Sequence, residues 1–506
     1  MSDQIKISLS TFVGIAMALI ASVRSIPQLA ATGWQMIIYM IISVVFFALP
    51  LALMCGELGA MLPGEGGPQR WVRRGLSDKW GFVVAWLLWA QMFPGMVMVA
   101  APLGPLFGNT ISNIPLGNNH WFVMCSIIVI YWFVTLLNLK FDMAKIGGDI
   151  GTWLGIYIPV VFMLVLGLGA MIKTGIRPGM VLGTFHWQQL LPQGDSLQYV
   201  ASIAFIFCGI STLGVYIPRI KDSTKNFAKG LMIALIAVVL MNIIDAFLMA
   251  NVVTSSNIQL ANISQPIVLF CQILGWPQWL NNVFSCMSFI GVLVALSGWV
   301  TGPSQTMIQV ANEGLVPSSW RFYKHNDLGV SKPILIAQAS LITLFALLYA
   351  LPDVNQIFML MTNTTTMFYV VVYTLIAIAF IRLRYEAKEL KRPYRIGKKG
   401  NGLAWMWAIF LWAGLIFIAV TAIAASSRAS AVVMIVFTLV FAVFPLILHH
   451  FRRDRWALTA QKYLQNYTRE HRVIPAVQLR PSLVRGMGDE SDIVQDSMEP
   501  EDQLRS

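Results

Sequence analysis

Two apolar segments of this chain are long enough to cross a membrane, yet each is interrupted near its middle. The first, residues 10–34, breaks at residues 21–27, and the second, residues 199–218, breaks at residues 208–214. Irregular backbone inside a bilayer is tolerated only where protein or a polar cavity covers its amides and carbonyls. A matched pair of breaks is typical of secondary transporters built from inverted repeats, and it indicates where the solute binds.

Composition predicts that nearly the whole chain lies in a membrane. Hydrophobic residues make up 57% of its 506 residues and charged residues only 11%, whereas a soluble domain carries about 25% charged residues. Because a spanning helix needs roughly 20 apolar residues, the sequence predicts an all-α membrane protein with twelve spans: 8–30, 36–58, 80–108, 121–139, 147–172, 196–217, 228–252, 277–308, 333–351, 355–382, 403–424 and 430–450. The short N-terminus carries no small-residue cleavage site, so we expect the first span to be retained.

The net charge of +12 reflects how Lys and Arg are distributed between the loops on the two sides of the membrane, and it does not indicate binding to nucleic acid. Counted over alternate loops, Lys and Arg number 21 on one side and three on the other, namely Lys173, Arg177 and Arg428. Basic loops stay in the cytoplasm, so both termini are expected there. We therefore expect a multi-pass protein of the bacterial inner membrane whose partners are the lipid bilayer and small-molecule substrates, with no nucleic acid, as a monomer or homodimer.

The chain divides into a transporter domain, residues 1–450, and a cytoplasmic tail, residues 451–506. Residues 1–172 and 196–382 can form two halves of opposite orientation, because each holds five spans, and residues 403–450 add two more helices. The tail has eight basic and two acidic residues from Arg452 to Arg485, then seven acids and no base from Asp489 to Asp502. Its composition predicts disorder or loose docking, and it is either a solvated tail or a pH-sensitive plug over the cytoplasmic mouth.

Three motifs occur in the same order as in a known superfamily, over residues of about 10–450. They are ELGAMLPGEGGP at 57–68 with WV at 71–72 and KWGF at 79–82, SGWVTGPS at 297–304 with ANEGLVP at 311–317, and KRPYRI at 391–396. Together they resemble motifs of the amino acid–polyamine–organocation transporters. The second motif is similar to the eighth-helix region of the bacterial glutamate/GABA antiporter branch.

The resemblance implies a LeuT-like fold of five plus five helices in inverted repeats, with helices 1 and 6 broken, and alternating access with exchange of an amino acid. In such families the substrate carboxylate lies against free amides in the first break, which by position are those of Ala21, Ser22 and Val23. The resemblance also implies an aromatic or apolar wall from the sixth helix, which would be Phe207 and Ile210, and an aromatic residue from the eighth, which would be Trp299. Cys208 and Gly209, between the two wall residues, are further candidates for substrate binding.

Three positions depart from the family pattern, and all three change the charge near the breaks. Leu213 stands where many relatives carry Glu in the sixth helix, and Ala295 stands near the place of an acid before the eighth-helix Trp. Arg24 stands where an aromatic residue is common. The chain thus lacks two negative charges and gains a positive one, which favours an anionic or zwitterionic amino acid over a cationic one.

Arg24 is the most informative single residue. A charge at the bilayer centre costs at least about 2.5 kcal/mol on insertion scales, so it should face a cavity or a partner. It is either a clamp for the substrate carboxylate, which a guanidinium can bind with two hydrogen bonds, or a pin that bonds free carbonyls of the kink. Trp299 likewise either stacks on substrate or is an ordinary packing residue.

Four more residues are candidates for proton coupling or for the pathway. Asp245 lies inside the seventh span, one turn after Asn242, and is either a proton carrier or a buried structural acid. Glu57 ends the second span, where we expect it to pair with loop arginines rather than relay protons. Thr364 and Thr365 either line the pathway or bond carbonyls of their own helix.

No nucleophile–base pair, nucleotide-binding motif or metal-ligand spacing occurs in the sequence. The five Cys are scattered, and we expect free thiols, no cofactor, no metal and no enzymatic activity. The leading hypothesis is therefore an amino acid antiporter of the glutamate/GABA type. The alternatives are a proton-coupled uptake symporter for an amino acid or amine and, more remotely, a channel or nutrient receptor with a transporter fold.

Overall fold

The computed structural model of the protein describes residues 8–20, 23–62, 67–141, 153–192, 194–211, 213, 220–326, 328–397 and 400–471. This part of the chain is helical, with turns and connecting segments and without an extended β-strand. Apart from single-turn helices, we number its helices along the chain: α1 Leu9–Ile20, α2 Ile26–Ala30, α3 Gly33–Met61, α4 Gly67–Gly75, α5 Asp78–Thr110, α6 His120–Lys140, α7 Trp153–Thr174, α8 Val200–Phe205, α9 Ser223–Ala250, α10 Gln265–Leu274, α11 Trp279–Asn312, α12 Lys332–Ala350, α13 Val354–Glu386, α14 Gly402–Ala424, α15 Arg428–His450 and α16 Asp454–His471.

Eleven helical stretches of the described chain are long and apolar enough to cross a membrane. Ten of them are single numbered helices, and the eleventh, Trp187–Ser211, includes α8 and the start of the second break. The first predicted span is divided instead into α1 and α2. Neither piece has the roughly 20 residues that a span needs, so the predicted number of twelve depends on counting this divided helix as one span.

The helices cross closely where glycine removes the side chain from an interface. Gly155 of α7 lies against Gly291 of α11, and a Cβ built on Gly291 would sit 2.2 Å from the Cα of Gly155. Membrane helices often pack through small residues because backbone contact replaces the hydrophobic driving force that lipid does not supply. This contact fixes α11, which carries Trp299, against the first half of the chain.

The tail contains a helix that docks on the protein, so of the two expectations, disorder and loose docking, disorder is wrong for residues 454–471. Helix α16 buries Ala457, Ala460 and Leu464 at helical spacing, a pattern that the mean composition of the tail conceals. It packs on the segment after α11, where a Cβ on Gly314 would sit 2.5 Å from the Cα of Ala457. The Tyr463 hydroxyl donates to the carbonyl of His325 at 3.1 Å. Residues 472–506 lie outside the described part of the chain.

Candidate functional site

The first break lies where the sequence predicts it. Helix α1 ends at Ile20, Ala21 and Ser22 lie outside the described residues, and Val23–Ser25 form a single 3₁₀ turn before α2 begins. Pro27 occupies the first turn of α2, where its missing N–H leaves no helical hydrogen bond unmade. The chain therefore leaves the α-helical path for several residues inside its first apolar segment.

Gln28, which the sequence analysis did not single out, stabilises this break. Its side chain is buried, and with its amide nitrogen turned toward the break it donates to the carbonyls of Arg24 at 2.8 Å and Ser25 at 3.0 Å. Amide orientation is assigned from such hydrogen-bond partners. Because Gln28 bonds these two carbonyls, the kink does not need the Arg24 guanidinium for that purpose. The Arg24 side chain itself is half-buried, and its two roles, clamp and pin, stay predictions.

A side-chain hydrogen bond ties the first break to the seventh span. The Ser25 hydroxyl donates to the side-chain oxygen of Asn242 on α9 at 3.2 Å, while the Asn242 amide donates to the carbonyl of Val238 at 2.9 Å. Asn242 therefore has both ends of its side chain engaged. It fixes the position of the break along α9.

The second break starts earlier than the sequence predicts. Helix α8 ends at Phe205, a turn covers residues 206–207, and the chain continues as 3₁₀ turns through Ser211. The amide of Ile210 donates to the carbonyl of Phe207 at 3.0 Å, a tighter spacing than in an α-helix. Residue 212 and residues 214–219 lie outside the described part, so the predicted break at 208–214 is seen at residues 208–211 and 213.

The side chains of this second break point into protein. Phe207, Cys208, Ile210 and Leu213 are all buried. Phe207 and Ile210 are the two residues expected to form an apolar wall. Leu213, which stands where relatives carry an acid, lies among apolar neighbours and brings no charge to the site.

Two hydroxyl groups of α13 donate hydrogen bonds to backbone carbonyls of the broken sixth span. The Tyr373 hydroxyl donates to the carbonyl of Cys208, and the Thr366 hydroxyl shares its hydrogen between the carbonyls of Thr362 at 2.9 Å and Ala201 at 3.3 Å. The carbonyl of Cys208 also accepts a long hydrogen bond from the Ser211 hydroxyl, at 3.5 Å. An unbroken helix thus satisfies the backbone of the broken one.

The hydroxyls of Thr364 and Thr365 bond carbonyls of their own helix, which is one of the two roles that the sequence left open. Their hydroxyls donate to the carbonyls of Leu360 and Met361, at 2.7 Å and 2.8 Å. Both side chains are buried in α13. They satisfy carbonyls of their own helix, as Ser and Thr commonly do in apolar surroundings.

The structure brings together the helices that adjoin the two breaks. Helix α2, which follows the first break, contacts helix α8, which precedes the second. Trp299 is half-buried on α11, which packs mainly on α5, α6 and α7. Beside it, a Cβ built on Gly298 would have no described heavy atom within 4 Å. Trp299 itself packs in part against the hydrophobic core, next to the open space at Gly298.

Asp245 is a buried acid without a hydrogen-bonding partner. Its side chain is 1% exposed, and neither carboxylate oxygen accepts a hydrogen bond within the described structure. The elements packed against α9 are α1, α2, α3 and α7, and none of the titratable side chains on or next to them forms an ion pair with it: Arg24, Tyr39, Cys55, Glu57, Tyr157 and Lys173. A charged carboxylate in this setting is costly.

Glu57 has the opposite environment, because three donors surround its carboxylate. Arg384 forms a two-pronged ion pair with it, Arg392 lies 3.4 Å away, and the amide of Ile396 donates to it at 2.8 Å. The predicted pairing with arginines is confirmed, but these come from the end of α13 and the loop that follows rather than from the adjacent loop. These contacts tie Glu57 of α3 to the end of α13 and to the loop that follows it.

The described residues include no group of three or more His, Cys, Asp or Glu arranged to hold a metal ion. What the two breaks offer instead is irregular backbone, one guanidinium and apolar walls. Such a set is suited to a small solute with a carboxylate, because a guanidinium and backbone amides are the donors that bind carboxylates.

Comparison with known proteins agrees with this geometry. Residues 7–444 match the family model described as amino acid permease. The chain is 25% identical over 384 residues to an uncharacterised transporter of Legionella pneumophila, covering 74% of this chain and 80% of that protein. It is 26% identical over 413 residues to a glutamate/gamma-aminobutyrate antiporter of Lactococcus lactis, covering 79% of this chain and 80% of that protein. A solved manganese transporter of Eremococcus coleocola has the same fold, with a TM-score of 0.55 at 13% identity over 90% of this chain and 94% of that one.

Proposed function

Because the chain belongs to the amino acid permease family and is an integral membrane transporter, we propose that it exchanges an amino acid of the glutamate class for a second amino acid or amine by alternating access. The observation that carries the proposal is the contact between α2, which follows the first break, and α8, which precedes the second. The similarity to a glutamate/gamma-aminobutyrate antiporter supports the substrate class and the exchange.

In this mechanism the substrate carboxylate binds the backbone amides of residues 21–23, and Arg24 adds a charge-assisted hydrogen bond. Gln28 supports this division of roles, since it already bonds the carbonyls that would otherwise compete for the guanidinium. Phe207 and Ile210 cover the apolar part of the substrate, and Trp299 closes the pathway from the side of α11. The absence of an acid at Leu213 and Ala295 favours a carboxylate over a second ammonium group.

A second function, proton-coupled uptake, is favoured by Asp245. Its carboxylate is buried in the membrane and accepts no hydrogen bond from the described residues, a setting in which a charge is costly. Loss of its proton would need water or a cation to reach it, as opening of the pathway would allow. Asp245 lies one turn from Asn242, which is bonded to the first break, so its protonation and the position of the break can influence each other.

The distribution of charged residues supports a topology for the chain and a regulatory role for its tail. The excess of basic residues on alternate loops favours cytoplasmic termini and insertion in a bacterial inner membrane. The tail would then act on the cytoplasmic mouth, where α16 docks on the segment after α11. Its acidic end, residues 489–502, lies outside the described chain and is the part whose charge would change at low pH.

Counterflow in proteoliposomes tests the exchange. Vesicles are loaded with single unlabelled amino acids or amines, and entry of labelled glutamate is followed without an ion gradient. We expect one or two internal solutes to accelerate it several-fold. Glutamate entry that responds only to an imposed proton gradient would replace exchange by symport, and no entry with any labelled amino acid of the panel would refute the proposed substrate class.

A further inference from the structure

A cavity of about 530 Å³ is lined by residues at the ends of the spans opposite the basic loops, and none of its lining residues belongs to either helix break. Its volume falls within the roughly 300–1,000 Å³ typical of small-molecule sites. The ends of α5 and α9, the segment after α7, and α10 enclose it. Its lining residues that matter for ligand chemistry are Arg177, Gln272, Thr254, Val253, Val268 and Ile273.

Most polar groups of this cavity are already used to fix its shape. The Asn262 amide donates to the side chain of Gln259 at 2.7 Å, and the Gln265 amide donates to the carbonyl of Asn257 at 2.6 Å. The Asn109 side chain joins α5 to α11 by accepting from Asn281 at 3.0 Å. These bonds hold the wall in place, so a ligand would not have to order it on binding.

Two side chains of the lining remain available. The guanidinium of Arg177 and the amide of Gln272 make no side-chain hydrogen bond to the described residues, although the backbone amide of Arg177 donates to Asn251 at 2.9 Å. Neither Asp nor Glu belongs to the lining. The cavity therefore offers one fixed positive charge and an amide beside an apolar wall.

The charge is unusual for this face of the membrane. Basic residues are depleted from outer loops, and the chain places only three there, Lys173, Arg177 and Arg428. Arg177 lines the cavity, and Lys173 lies one turn earlier and donates to the carbonyl of Ile273 at 2.7 Å. Two of the three outer cations are thus gathered at one cavity, which topology alone does not require.

We propose that this cavity is an outer capture site that binds the carboxylate of an amino acid on Arg177 before the solute reaches the breaks. Gln272 would bond the remaining polar group, and Val253, Val268 and Ile273 would cover the aliphatic part. A guanidinium binds a carboxylate through two parallel hydrogen bonds, and a positive cavity wall raises the local concentration of anions. This site deepens the proposed function, because it rests on an amino acid being the transported solute.

Kinetics of uptake from the outer side test the role in transport. We expect Arg177→Gln to raise the KM for glutamate about tenfold, the scale of one charge-assisted hydrogen bond, with little change in kcat. The matched control is Arg428→Gln, which removes the same charge from the same face outside the cavity. Equal changes in both variants would show a general surface effect, and a loss of kcat for all substrates would show a structural role for Arg177.

Cysteine labelling tests the site even if glutamate is not transported. Thr254→Cys and the control Ala429→Cys, next to Arg428, are made with Cys125 and Cys286 replaced by Ser because those two thiols are exposed. We expect a sulfonate methanethiosulfonate to label position 254 several-fold faster than a trimethylammonium one, and this preference to vanish with Arg177→Gln but not with Arg428→Gln. We also expect a millimolar amino acid from the full panel to slow labelling at 254, and acetate to do so less. No anion preference would overturn the electropositive site, and a preference without protection by any amino acid would overturn its ligand.

Discussion

Glu57 and Arg384 lie 327 positions apart and form an ion pair in which both side chains are almost completely buried. The Nε of Arg384 donates to Glu57 at 3.0 Å, and its Nη2 donates to the other carboxylate oxygen. The pair joins the end of α3 to the end of α13. Removing one partner would leave the other charge buried, which is the costly way to break such a pair.

We therefore expect Glu57→Gln to lower the unfolding free energy by about 3–5 kcal/mol, seen as a lower thermal midpoint in detergent. The matched control is Glu386→Gln, which breaks the exposed pair of Arg382 and Glu386 on the same helix. Exposed helix pairs contribute only about 0.3–0.5 kcal/mol, so its midpoint should barely move. Similar midpoints for the two variants would show that burial does not govern the Glu57 pair.

Arg24→Ala should separate carboxylate substrates from their decarboxylated amines. If the guanidinium clamps a carboxylate, we expect KM for carboxylate substrates to rise about tenfold or more while KM for amines is unchanged. Ser25→Ala is the control, because it removes the bond from the break to Asn242 and should affect both classes alike. An equal loss for both classes in Arg24→Ala would support the structural pin.

Asp245→Asn should remove a proton site while keeping the shape of the side chain. We expect transport driven by an imposed proton gradient to be lost and counterflow to persist. Because neither carboxylate oxygen has a hydrogen-bonding partner, we also expect no loss of thermal stability. Asn242→Ala, one turn away, carries no titratable group and should leave the gradient response in place. A gradient response that survives in Asp245→Asn would make Asp245 a structural acid.

Gly314→Ala should release α16 from the body of the protein. Gly314 has a φ of +65°, which costs a residue with a Cβ about 1–2 kcal/mol, and the added methyl would also overlap the backbone of Ala457. We expect faster tryptic cleavage at Arg455 and Lys462. Gly329→Ala carries similar backbone strain, with φ +71°, and its nearest contact would be 3.8 Å away. Equal cleavage in both variants would mean that the contact with Ala457 does not hold the helix.

Deleting residues 470–506 should shift the pH dependence of transport if the tail covers the cytoplasmic mouth. The removed segment contains all seven acids between Asp489 and Asp502, whose charge is lost only as the pH falls toward their usual pKa of about 4. We therefore expect the truncated protein to stay active at neutral pH, where the intact protein is slowed. A pH profile identical to that of the full chain would refute the plug.

The parts of the fold that depend on local sequence could be predicted, and the parts that depend on distant partners could not. Pro27 and Gly209 interrupt apolar runs, so both breaks were visible in the sequence. The partner of Glu57 was not, because Arg384 meets it only once α13 lies against α3. Gln28 is an isolated polar residue one turn after Arg24, a signal that could have revealed its role at the break.

The tail shows a different kind of error. Averaging composition over residues 451–506 hid the spacing of Ala457, Ala460 and Leu464, although that spacing predicts an amphipathic helix. The roles of Thr364 and Thr365 could not be decided from sequence, because whether a threonine hydroxyl faces a pathway or a carbonyl of its own helix depends on its rotamer. Thr364 and Thr365 took the local bond, as the structure alone could show.

The two hydroxyls that α13 gives to the sixth helix have a consequence for how this scaffold can diversify. The backbone at Cys208 and Ala201 takes its shape from Tyr373 and Thr366, which stand behind the wall rather than on it. Side chains at positions 207 and 210 can therefore be exchanged for others of similar volume, because the hydrogen bonds from Tyr373 and Thr366 keep the backbone turn in place. A new solute preference should therefore be sought by substitutions at positions 207 and 210, with Tyr373 and Thr366 of α13 kept.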